Sequence, residues 1–200
     1  MNIFNFTKGK KEKRKKEKTQ VSISSGFTLV ETLVAIAILM IAIAGPLTVA
    51  EKGLSASIYA RDQLIASYLA QDTMESIKNI VDSNELAGNP WLSSLSNYSC
   101  TSSSNNPTSF CTINTTSNPL TIDMCAVGAC LPLNLSSSGY VQGGTSPVTP
   151  FTRYFYIQTF NVGGGTNNAA NVVVNVTWPG DVIGGGGVDL EDTMFDTPLQ

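Results

Sequence analysis

The stretch SSGFTLVETLVAIAILMIAIAGP, Ser24 to Pro46, decides how the chain begins to fold. From Phe27 to Ala50, Glu31 is the single ionisable residue among 24. At about 1.5 Å rise per residue, an α-helix of that length covers roughly 36 Å, more than the roughly 30 Å hydrocarbon core of a bilayer. The segment is therefore predicted to be a membrane-spanning helix. Its one charge is the anomaly, because a carboxylate near the middle of such a helix costs about 2.5–3.5 kcal/mol on insertion scales and less near an end. Glu31 lies close to the start of the run, where the positive end of the helix macrodipole favours an anion.

Upstream, eight of the twelve lysines and arginines fall between Lys8 and Lys18, accompanied only by Glu12 and Glu17. A basic cluster this close to an apolar run holds its side of the membrane in the cytoplasm. From Phe27 onward the balance reverses, with Lys52, Arg61, Lys78 and Arg153 set against thirteen carboxylates. That acidic remainder offers no second phosphate-binding surface, so no nucleic-acid partner is expected to bind it directly. A secretory signal has a shorter apolar core and a cleavage site after it. Here the candidate site, Gly26, precedes the run, and the apolar segment would survive processing.

The residues GFTLVETLVAIAILMIA, Gly26 to Ala42, resemble the processing site of type IV prepilins and the related type II secretion pseudopilins. The similarity continues more loosely through the following helix, in the manner of a minor pilin. The resemblance implies that a membrane prepilin peptidase and N-methyltransferase removes a basic leader, 1–26, by cutting after Gly26, and methylates the new amino terminus at Phe27. It also implies that Glu31 docks against the amino terminus of a neighbouring pilin or pseudopilin subunit. The physical reading agrees: residues 27 and 31 are four apart on one helical face, so a freed Phe27 ammonium gives the carboxylate cationic company. The competing reading is a plain signal anchor in which Glu31 lies near the lipid headgroups.

Segment 27–50 is expected to be the membrane and filament-core helix. Gly45 and Pro46 mark a helix break, since proline removes a hydrogen bond and clashes with the carbonyl four residues back; a kink or a melted turn is expected. Segment 51–82 reads as an amphipathic helix, with Leu54, Ile58, Ile65 and Leu69 on a stripe broadened by Leu64, Tyr68, Ile77 and Ile80. Segment 83–150, rich in Ser, Thr, Asn, Gly and Pro, reads as loop with short strands at most. It holds all four cysteines, Cys100, Cys111, Cys125 and Cys130, on the oxidising side of the membrane. Three pairings are possible, and pairing of sequence neighbours, Cys100 with Cys111 and Cys125 with Cys130, is the expectation. A zinc site is the alternative, disfavoured by the absence of histidine and of CxxC spacing. Segment 151–200 alternates apolar and polar residues, most clearly at Val172, Val174, Val176 and Trp178, and predicts an antiparallel sheet.

The fold class expected is α+β: a long N-terminal helix, its first half transmembrane, packed against a small antiparallel β-sheet head. Zero histidines remove the usual base of Ser-His or Cys-His catalysis, so no enzyme, catalytic residue or cofactor is expected. The carboxylates Asp181, Asp189, Glu191, Asp192 and Asp196 lack EF-hand spacing and read as surface residues rather than a metal site. The glycine-rich runs near 163 and 184 lack the ending of a phosphate loop and read as hairpin loops. The function expected is that of a structural subunit, a minor pilin of a type IV pilus or related filament. The alternatives are a type II secretion pseudopilin and a pilin-anchored module for surface adhesion or DNA uptake. The partners implied are the prepilin peptidase, other pilin subunits, an inner-membrane assembly platform and membrane lipid. The implied location is the cytoplasmic membrane, single-pass with the N-terminus inside and the head outside, and then a filament outside the cell or in the periplasm.

Overall fold

A computed structural model describes residues 26–98, 100–102, 109–126, 128–145, 147–164, 167–180 and 185–196. The leader expected over 1–26 therefore lies outside the described residues up to position 25. The chain divides into two compact units, Met1–Leu47 and Thr48–Gln200.

In the first unit, helix α1 begins at Leu29; its helical assignment runs to Leu86, in the second unit. Its apolar side chains here are all exposed, as a lipid-facing or partner-facing helix requires. Of the kink or melted turn expected at Gly45 and Pro46, the melted turn does not form: the backbone stays helical through both residues. Gly45 explains part of this. Proline disfavours the helical conformation of the residue before it through a clash that includes that residue's Cβ, and glycine has none.

In the second unit, α1 buries Ala66, Leu69, Ala70, Thr73, Met74, Ile77, Val81 and Asn84. Leu69 and Ile77 of the stripe read from the sequence are buried, and Ile65 and Ile80 pack against the core; the rest of it is not. Leu54, Ile58, Leu64 and Tyr68 are exposed, and the head-facing stripe is lined partly by small residues, which let the helix approach the sheet closely. The helix ends four residues beyond the expected Asp82, in a Schellman motif. Gly88 adopts φ +72, its N–H bonds the Glu85 carbonyl at 2.9 Å, and the Asn89 N–H bonds the Asn84 carbonyl at 2.9 Å. Asn84 then fastens the following turn: its Nδ2 donates to the Trp91 carbonyl and its Oδ1 accepts from Ser94 of the one-turn helix α2, Ser93–Ser96.

The strands are β1 (Thr101–Ser102), β2 (Ser109–Asn114), β3 (Thr121–Ala126), β4 (Pro132–Ser136), β5 (Gly139–Gln142), β6 (Val148–Phe160), β7 (Ala169–Trp178) and β8 (Gly186–Phe195). They form one sheet, antiparallel except where β1 runs parallel to β6. One edge of β6 pairs with β7, which in turn pairs with β8. The other edge is shared along its length by β4, β2 and β1, with β5 outside β4 and β3 outside β2. The stretch 83–150 is thus more than loop: it supplies five strands of the sheet. Its apolar positions are few but sit at alternate places, as in β2, where Cys111 and Ile113 are buried.

Alternation places Phe151, Arg153, Phe155 and Ile157 of β6 and Val172, Val174, Val176 and Trp178 of β7 on the face covered by α1. Each fully buried valine there contributes about 1.5–3 kcal/mol relative to exposure. Val188, Leu190 and Met194 of β8 pack at the edge of the same core.

Candidate processing and docking site

The helix start is built by a side chain that the sequence reading passed over. Thr28 is the N-cap: its Oγ1 accepts the Glu31 N–H at 3.3 Å, and its carbonyl accepts the Thr32 N–H at 3.2 Å. Thr28-Leu29-Val30-Glu31 has the spacing of a capping box, Thr followed three residues later by Glu, which was legible in the sequence. The cap fixes where the helix begins and so places Glu31 at the third helical position, within the first turn and at the positive end of the macrodipole. Phe27, just outside the helix, is 78% exposed, and Glu31 is exposed as well.

Gly26 is not demanded by the fold, since a Cβ added there meets nothing within 4 Å. Gly26, Phe27, Thr28 and Glu31 therefore form one contiguous, accessible segment: an uncapped approach, a cap and a carboxylate one turn in. What it offers is an accessible, non-helical segment followed by an exposed carboxylate in the first helical turn. Phe27 precedes the cap and lies outside the helix, so the shared helical face expected from the spacing of residues 27 and 31 is not formed in the uncut chain.

The head holds the other candidates. The structure pairs Cys100 with Cys111 and Cys125 with Cys130, the sequence-neighbour pairing, and leaves no free cysteine among the described residues. Asp189 accepts from the Asn175 amide, Glu191 accepts from the Asn171 amide, and Asp192 pairs with Lys78 of α1 at 2.6 Å. Asp181 lies outside the described residues. Among the described residues, no three Cys, Asp or Glu converge as a metal site would need.

Arg153 is the charged residue that sequence reasoning missed. Its side chain is 1% exposed and lies between sheet and helix: Nη1 donates to Asp72 Oδ2 at 3.1 Å and Nη2 to the Ile113 carbonyl at 2.8 Å. Burial pulls its pKa down and Asp72 opposes the shift; the guanidinium stays charged. The parity of β6 could have found it, because Arg153 falls between the inward Phe151 and Phe155.

One comparison bears on the first of these sites. The prokaryotic N-terminal methylation motif, the signature of type IV pilins and pseudopilins, matches over residues 22–45. Neither a curated protein nor a solved structure gives a significant match. The matched stretch contains Gly26, Phe27, Thr28 and Glu31 and ends at Gly45.

Proposed function

We propose that the chain is a minor pilin, a structural subunit of a type IV pilus or related filament. The methylation motif over 22–45 marks it as a pilin-like or pseudopilin subunit, implies processing by the prepilin peptidase and assembly with other pilins, and fits a membrane anchor. The observation that carries the proposal is the capped helix start within that motif: an accessible Gly26-Phe27 bond, then Thr28 as cap and Glu31 in the first turn.

In this reading the basic leader stays in the cytoplasm and the head lies outside. The peptidase cuts after Gly26 and methylates the Phe27 amine, and the subunit waits in the membrane until an assembly platform extracts it. Glu31 then meets the amino terminus of a neighbouring subunit, which neutralises a carboxylate otherwise costly in an apolar surround. The exposed side chains of Phe27 to Val49 exchange lipid for neighbouring helices, and Gly45-Pro46 is the place where the helix can yield during assembly. The long head, with its two disulfides, favours a pilus subunit over a secretion pseudopilin.

The test is intact mass and N-terminal sequencing of the membrane-bound protein from a host with its own prepilin peptidase, wild type beside Gly26→Lys. The expected result is a mature chain starting at methylated Phe27, lost in the variant. A chain still starting at Met1 in both refutes the assignment.

A further inference from the structure

The head's sheet has two faces, and the core with α1 uses one. On the other, β-sheet register lines up outward side chains across five strands. One row runs Asp123, Thr112, Tyr154, Asn175, Asp189, by the pairings of β3 with β2, β2 with β6, β6 with β7 and β7 with β8; Thr112 is covered, and the other four are at least partly open. The adjacent row carries Phe110, Tyr156 and Glu191 in the same strand order.

The middle of this face is aromatic. Phe110 stacks on Tyr154 with ring centroids 4.4 Å apart and lies tilted against Tyr156 at 5.7 Å. Its rim is acidic on both sides: Asp123 on β3 and Asp189 and Glu191 on β8 are all exposed. The amides of Asn175 and Asn171 hold the last two carboxylates in place. Burial raises the pKa of both tyrosines, and Asp189 adds to the shift, so they remain neutral phenols with protons to donate. Among the described residues no cation answers these carboxylates on the outward face: Lys52, Arg61 and Lys78 are on α1 and Arg153 points inward.

We infer that this face docks an extended cationic peptide segment of a partner protein, independently of the assembly role of the N-terminal helix. Charge complementarity selects the occupant. Three exposed carboxylates repel nucleic acid and sulfated glycans and find in arginine or lysine both hydrogen-bond donors and the countercharge that a neutral saccharide lacks. The aromatic centre adds attraction for a cation passing over it. The geometry also sets a spacing. From Asp123 to Asp189 is four strand-to-strand steps of about 4.8 Å, roughly 19 Å, which about six residues of extended chain span. A segment with basic side chains about six residues apart reaches both rims at once.

The test uses the full chain in mild detergent and a fluorescein-labelled peptide with two arginines six residues apart in a glycine, serine and leucine background, read by anisotropy. Saturable binding is expected, weakened about tenfold or more by Asp189→Asn with Glu191→Gln, and weakened by Tyr154→Leu with Tyr156→Leu. It should fall in about 0.5 M NaCl, where exposed charges are screened. A peptide with glutamates in place of the arginines should not bind. Glu75→Gln, at an exposed position on α1, should leave the affinity unchanged and so separates this face from general acidity. Near-ultraviolet circular dichroism checks that each variant keeps its packing. Absence of binding at about 1 mM peptide overturns the inference. So does binding undiminished by the carboxylate variants, or saturable binding of a neutral oligosaccharide where the peptide does not bind.

Discussion

Replacing Asp72 by asparagine should destabilise the head more than replacing its partner Arg153 by methionine. The guanidinium is 1% exposed, whereas the Asp72 side chain is 51% exposed. Removing one member of a fully buried ion pair costs about 3–5 kcal/mol, because the other is left buried and unpaired. An exposed pair is worth about 0.2–1 kcal/mol. Asp72→Asn strands the buried member of a pair whose other half is in water, so its cost falls between these limits, at about 2 kcal/mol. Arg153→Met removes the buried charge, fills similar space and leaves Asp72 free to hydrate; about 1 kcal/mol or less is expected, since apolar replacement of buried ions is often neutral. The double variant should then be no worse than Asp72→Asn alone. Urea unfolding in mild detergent, followed by fluorescence of the buried Trp91 and Trp178, measures all four corners of the cycle. Unchanged slopes against urea would keep the comparison one of stability. If Arg153→Met proves the costlier change by more than about 1 kcal/mol, the desolvation reasoning is wrong. The bonds from Arg153 to the Ile113 and Leu69 carbonyls would then be the main term.

Gly186→Val should loosen the junction of β7 and β8, because a Cβ at Gly186 would lie 2.1 Å from Cζ2 of Trp178. That ring is wedged beside Tyr59 of α1 and Phe151 of β6, with centroids 5.7 Å and 6.2 Å away. Its displacement should cost about 1–3 kcal/mol and shift tryptophan emission to the red, and an unshifted spectrum at full stability would contradict the packing. The Lys78–Asp192 pair should give a shallow pH plateau. Its hydrogen bond holds the Asp192 carboxyl below the ordinary carboxylate range and Lys78 above the ordinary lysine range. The Asp192 contribution is complete above the unfolded carboxylate pKa and is lost as pH falls through the lower folded value. The Lys78 contribution is complete below the unfolded lysine pKa and is lost as pH rises through the higher folded value. Both side chains are nearly half exposed, so the plateau should be less than about 1 kcal/mol high and should flatten in salt. Urea midpoints between about pH 3 and about pH 11, for the native chain and Lys78→Gln, check it; identical profiles would dismiss the pair as a stabilising contact.

The elements legible in the sequence were those in which one periodicity dominates. The apolar run from Phe27 declares itself by length, and β7 by strict alternation of Val172, Val174, Val176 and Trp178, all buried in the structure. The strands between 101 and 142 were hidden because they are short and interspersed with Ser, Thr and Asn, which in single-sequence reading count as loop. Thr suits a pleated, half-buried surface, so composition alone misleads there. The head-facing stripe of α1 was read correctly at Ile65, Leu69, Ile77 and Ile80 and missed in part elsewhere, for a related reason. Hydropathy weighs Leu54, Ile58 and Tyr68 above Ala66, Ala70 and Thr73, yet the smaller residues line the close approach to the sheet. Thr73 hides its polarity by donating to the Leu69 carbonyl at 3.0 Å. Other signals were present and unused: Gly88 for the helix end, the Thr28 to Glu31 spacing for its start, and the inward parity of Arg153.

The N-terminal site differs from all of these in what enforces it. Val174 or Ala66 can be argued from the fold, since each is wholly buried and a change of size there meets neighbours. Gly26 cannot: its surroundings have room for a side chain, its φ is not among the positive ones, and nothing packs on it. Phe27 cannot either, because an aromatic ring that is 78% exposed to water gains nothing for the isolated chain. Thr28 alone has a folding role, as the cap, and an exposed cap of this kind is replaceable at about 1 kcal/mol. A glycine and a phenylalanine that the fold does not use stand next to a carboxylate that a bilayer penalises. In the proposed function their residue types answer to what reads them from outside: a peptidase that takes the small residue at the cut, and a neighbouring helix that would cover the ring and neutralise Glu31. Stability measurements on the isolated chain should be blind to Gly26→Lys, so the processing assay tests recognition of the site and not the fold.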